Sequence, residues 1–203
     1  MLSNEQTIGN SIRSYQENIQ DVSISRKLPN KLDVVISSYD PIFNTKLNDK
    51  NYIIVENGSF IPEKENPELR NLTIITKKNS TSIPDYKKTI DLEYMNQIRS
   101  IYNEIKINII RIQIKDIVYY PVEREVIVLI EGGTKLIFDL EKEIIPQVKR
   151  LAIFDTENIK IDLPGMIYID LRVQNKVFYC TTETEYQCVI NLKNIYPEEE
   201  ASY

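Results

Sequence analysis

The stretch Val22–Pro41 constrains this 203-residue chain more than any other. It reads VSISRKLPNKLDVVISSYDP, in which Val22 and Ile24, then Leu32, Val34 and Ile36, recur at every second position on either side of Leu28-Pro29-Asn30-Lys31. Period two puts alternate side chains on one face of an extended strand, and Pro29 and Asn30 bring turn backbone, so the stretch predicts a β-hairpin. Ahead of it Ile8, Ile12 and Tyr15 recur at helical spacing within Glu5–Gln16, which predicts a helix leading into the first strand.

The rest of the chain alternates strand and helix patterns. Tyr52–Val55 and Phe60–Ile61 flank Glu56-Asn57-Gly58-Ser59, where Asn-Gly suits the positive φ of a tight turn. Leu72, Ile74 and Thr76 predict a strand, 79–85 a polar loop, and Leu92, Met95, Ile98, Ile101, Tyr102 and Ile105 a helix. Ile107, Ile109 or Ile110, Ile112 and Ile114 read as a buried strand, and Val126–Ile130 pairs with Lys135–Phe138 through Gly132-Gly133. A second helix is predicted near Pro146–Phe154, then strands Ile167–Arg172 and Lys176–Cys180, with a further strand at Val189–Leu192. Pro197 and Glu198-Glu199-Glu200 mark a solvated acidic tail over 196–203. The fold class expected is α+β.

Composition removes several functions. A net charge of −5, spread through the chain, provides no concentrated basic face for phosphates, and Lys77-Lys78 and Lys87-Lys88 are interleaved with acids. There is no His, hence no ordinary general base near neutral pH, and the five Gly form no phosphate-cradling loop. Two Cys cannot build a tetrahedral metal site, so neither metal nor cofactor is expected. Asp162 with Asp170, and Glu123 with Glu125, read as acids on exposed strand faces, and Ser37, Ser38 and Ser80 have no partner base. The chain is not read as an enzyme. No apolar run reaches the roughly 18–20 residues of a membrane-spanning helix.

Cys180 and Cys188 allow two readings. If Lys176–Cys180 and Cys188–Leu192 form a hairpin, Cys180 opposes Cys188 in a register that suits a cross-strand disulfide. The plainer alternative is two reduced thiols at apolar positions.

Arg26-x-x-Pro29-x-x-Leu32 followed by Asp40-Pro41 resembles the bacterial cell-division family FtsQ/DivIB, where such a pattern closes the small POTRA domain that follows a membrane anchor. Tyr52-Ile-Ile-Val-Glu-Asn-Gly58, Gly133-Thr-Lys-Leu-Ile-Phe138 and Tyr168-Ile-Asp-Leu-Arg172 come in the order of that family's β domain. The resemblance implies a partial POTRA domain at 1–41 and a mostly antiparallel β domain with two helices at 42–195. The rest of the POTRA domain and the anchor would precede Met1, with this region on the extracytoplasmic side of the cell membrane.

It further implies a non-catalytic scaffold of the divisome that binds FtsB/DivIC-like and FtsL-like single-span proteins and helps control septal peptidoglycan synthesis. Binding would add a partner strand to an edge carried by Arg172, Val173, Gln174, Asn175, Val177 and Phe178, with Phe178 offering an edge N–H. Arg172 is read either as fixing that edge with Asp170 or as an ordinary cross-strand ion pair. Val189–Leu192 could instead occupy the edge. Arg26, Lys27 and Pro29 would form a second docking surface. The alternative is a POTRA-containing scaffold of a transport or secretion system.

Overall fold

The computed structural model describes residues 5–27, 30–75, 85–157, 160–186 and 188. The fold is α+β, in two compact units, 1–96 and 97–203.

In the first unit α1 (Glu5–Tyr15) is followed by the expected hairpin, β1 (Ile19–Lys27) and β2 (Lys31–Ser38), paired antiparallel with Val22 opposite Ile36 and Ile24 opposite Val34. α1 lies against β1, where Gly9 approaches Val22. The matching row on β2, Leu32, Val34 and Ile36, stays substantially exposed, as does Val35 on the other face. Pro29 and Leu28 of the turn lie outside the described residues.

Next come β3 (Pro41–Leu47), β4 (Lys50–Val55), β5 (Phe60–Pro62) and β6 (Arg70–Ile74), in the order β6-β3-β4-β5. Phe43, Ile54 and Phe60 form a buried cross-strand row, joined by Leu72. The β3–β4 hairpin was not expected; it turns on Asn48 and Asp49, both at positive φ. Glu17 ties the start of the unit to its end: its N–H donates to the Tyr86 carbonyl, and its carboxylate accepts from the Lys88 N–H and the Lys87 ammonium.

The boundary between the units falls inside α2 (Leu92–Asn108). This helix runs through residues expected to be a strand. Ile98, Ile101 and Ile105 are buried at helical spacing, and past Asn108 the burial of Ile109 and Ile112, with Ile110 86% exposed, keeps a spacing of three. The strand, β7 (Ile114–Tyr120), starts only where the expected one ends. With β8 (Glu125–Ile130) and β9 (Lys135–Asp139) it forms an antiparallel meander. α3 (Ile144–Glu157) then crosses to β10 (Met166–Asp170), which lies parallel to β9, and β11 (Phe178–Thr181) pairs antiparallel with β10. The sheet of this unit has the order β11-β10-β9-β8-β7.

Val148, Leu151 and Phe154 of α3 are buried, and the Phe154 ring meets Tyr179 of β11 at 5.4 Å between centroids. Ile127 and Ile137 form a separate apolar cluster with Val118, Tyr120 and Tyr168. No described helix is long and apolar enough to cross a membrane.

Candidate partner-binding edge

Among the described residues β11 ends its sheet, and its main-chain direction decides what that edge can offer. The Leu171 N–H donates to the Ile137 carbonyl, so the odd residues of β10 face β9 and Tyr168 and Asp170 face β11. Cys180 and Phe178 stand opposite these two, and the Thr182 N–H donates to Gly165 at 2.7 Å. Even residues of β11 therefore bond inwards, and the outward main chain belongs to Val177, Tyr179 and Thr181.

This corrects the expected site in two respects. Phe178 presents its ring, 48% exposed, but its N–H serves the ladder with β10, so it supplies no edge donor. Val173, Gln174 and Asn175 are exposed but lie in a turn, closed by the Lys176 N–H on the Val173 carbonyl and with Asn175 at positive φ. Tyr179 is the residue that the sequence reading missed. Its ring is on the α3 face and 46% exposed, while its peptide faces outwards. The alternation Val177-x-Tyr179 was the available signal, but only the pairing partner says which parity faces out.

The turn before this edge is firmly held. Arg172 chelates Asp170 through Nε and Nη2 at 2.9 and 2.6 Å, and its Nη1 reaches Glu125 of β8 at 2.7 Å. All three side chains are largely buried, so Glu125 is not the solvent-facing acid expected, and Glu123 lies in the turn before β8. Arg150 of α3 donates to the Leu171 carbonyl and the Lys142 ammonium to the Arg172 carbonyl, each at 2.7 Å. Burial, then the Asp170 charge, raise the Tyr168 pKa, and Arg172 works against them.

Cys180 and Cys188 form a disulfide with Cα atoms 5.9 Å apart. The bond is not across a hairpin: Cys188 lies in a helical turn, its N–H on the Thr184 carbonyl. The expected strand Val189–Leu192 lies outside the described residues.

Elsewhere, Asp162 pairs with Arg111, so it and Asp170 are not brought together. At the second expected surface, Arg26 is exposed and Lys27 pairs with Asp33 of β2. A cavity of about 330 Å³, lined by polar residues and by Tyr52 and Leu72, opens beside Asn44, Thr45, Lys46 and Glu65. Among the described residues no cluster of His, Cys, Asp or Glu could hold a metal ion.

The fold and edge define an α+β chain whose last described sheet strand turns main-chain groups outwards. No protein-family model matches this chain, and no curated protein is significantly similar to it.

Proposed function

We propose that the chain is an extracytoplasmic scaffold of the FtsQ/DivIB kind, which accepts a strand from an FtsB/DivIC-like or FtsL-like single-span protein and so helps control septal peptidoglycan synthesis. One observation carries this reading: among the described residues, the outward main chain of Val177 and Tyr179 stands at the end of a sheet, beside the half-exposed rings of Phe178 and Tyr179. Natural edge strands are usually blunted by charge or proline, and Phe178–Thr181 has neither. Main-chain bonds would supply affinity and the flanking rings specificity. The motifs Arg26-x-x-Pro29-x-x-Leu32 and Tyr168-Ile-Asp-Leu-Arg172 support the family assignment, and the open apolar row of β2 suits a POTRA-type domain with further covering elements.

The test is a pull-down from solubilised membranes of the source organism, with wild type and Tyr179→Pro as baits and mass spectrometry as readout. Proline at 179 removes an outward N–H without touching the β10 ladder. Val177→Pro does the same while keeping the Tyr179–Phe154 contact. The expected result is capture of small single-span coiled-coil proteins by wild type and their loss with both variants. Capture of secretion components alone, or of nothing by a folded bait, overturns the reading.

A further inference from the structure

The edge of β11 stops abruptly after Tyr179. Thr181 is the next residue whose main chain faces outwards, and both of its groups are already engaged. Its N–H donates to Thr184 Oγ1 at 3.2 Å, and its carbonyl accepts the Thr184 N–H at 3.0 Å and the Thr184 hydroxyl at 3.2 Å. A side-chain hydroxyl at this spacing mimics the strand that would otherwise pair there. Thr182 meanwhile returns to the sheet through Gly165. Thr184 is then held from beyond: its carbonyl accepts the Cys188 N–H at 3.4 Å, and Cys188 is covalently bonded to Cys180, an inward-facing, fully buried residue of the strand itself.

We propose that Thr181 and Thr184, tied back through Cys188, are a disulfide-held stop that closes the outer edge of β11 beyond Tyr179 and sets the register of an incoming strand. This rests on the reading of β11 as a receptor edge. An added strand makes main-chain bonds at Val177 and Tyr179 and ends there, because one further residue would have to displace Thr184 from both groups of Thr181. The Cys180–Cys188 bond keeps the turn from swinging clear. The partner this fits is a short extended segment, apolar on both faces at its centre, since one face meets Phe178 and the other Tyr179 beside Phe154. A long uninterrupted strand does not fit.

Amide hydrogen exchange read residue by residue by NMR tests the stop on the oxidised chain alone. The expected pattern is a nearly unprotected Tyr179 amide and a protected Thr181 amide. Thr184→Val should speed Thr181 exchange about five- to tenfold, the loss of one ordinary hydrogen bond, with Thr184→Ser restoring protection. Cys188→Ser should speed it as well, by releasing the turn. A Tyr179 amide as protected as that of Thr181, or a Thr181 rate unmoved by both Thr184→Val and Cys188→Ser, overturns the stop.

With the partner captured in the pull-down, added protection should appear at Tyr179, and the partner should add protection at Thr181 only in those two variants. Partner-induced protection running past Thr181 in wild type also overturns it. If no partner is captured, the receptor reading fails by itself, while the exchange rates of the free chain still decide whether the stop exists.

Discussion

Arg172 holds its two carboxylates because a guanidinium is a rigid planar fork: Asp170 takes one edge and Glu125 the remaining Nη. Removing it would leave two largely buried acids close together with no shared cation. Arg172→Ala should therefore cost about 2–3 kcal/mol, more than a surface pair would. In a thermal melt this reads as a fall of roughly 4–12 °C for a chain of this size. Arg172→Lys should recover only part, since an ammonium cannot grip Asp170 with two nitrogens; full recovery would show that charge alone matters. Gly58 gives a backbone counterpart. It sits at φ 83°, and a Cβ there would lie 2.0 Å from the Ile90 carbonyl oxygen, while its own carbonyl accepts the N–H groups of Thr89 and Ile90. Gly58→Ala should destabilise by more than about 2 kcal/mol, measurable by urea unfolding.

At the level of elements, Arg111 joins the segment after α2 to Asp155 on α3 and to Asp162 beyond it, and Asp155 also accepts the Ile161 N–H. The hydrogen bond from Arg111 lowers the Asp162 pKa, as the Lys88 N–H, aided by the Lys87 ammonium, lowers that of Glu17. Both acids ionise more readily in the folded chain than in the unfolded one. Their contribution is therefore present above the ordinary carboxylate pKa of about 4 and is lost as pH falls through the lower folded values. The urea midpoint should drop on acidification below about pH 4, and Asp162→Asn should flatten that drop. An unchanged slope in the variant would assign the acid sensitivity elsewhere.

Legibility differed among the elements for physical reasons. The β1–β2 hairpin, the β8–β9 pair and α3 could be read because period, turn residues and length agreed. The isoleucines from 107 to 114 could not, because alternation by two and a helical spacing of three coexist there, and the buried stripe Ile98-Ile101-Ile105 carries the helix on to Asn108. The Asn48-Asp49 turn was visible in principle, being the residue type that tolerates positive φ, but the residues that β3 buries before it, Phe43, Asn44 and Thr45, include two polar ones. At the candidate site, Arg172 and Phe178 could be picked out by type. Which peptide groups of β11 face outwards depends on its pairing with β10, and no side-chain pattern encodes that.

Over the whole molecule, burial is uneven. β8 and β9 carry Val126, Val128, Leu136 and Phe138 fully buried, whereas along β2 only Asp33 is even half-buried. A two-stranded hairpin with little burial is marginal on its own and opens locally at low cost. Amides of β2 should exchange on the order of a hundredfold or more faster than those of β8, and equal rates would mean that the hairpin opens only with global unfolding.

The parallel pairing of β9 with β10 has a kinetic consequence. Hairpin contacts among β7, β8 and β9 are local, but β10 can add only after the chain has gone out through α3 and come back, and loop closure makes such a contact late. β11 is joined to β10 by a local hairpin and enters the sheet only with it. The surface on which a partner would assemble would thus be completed late, and a chain stalled before β10 docks lacks that edge. Recruitment at that edge would double as an inspection step, admitting only finished molecules to the complex.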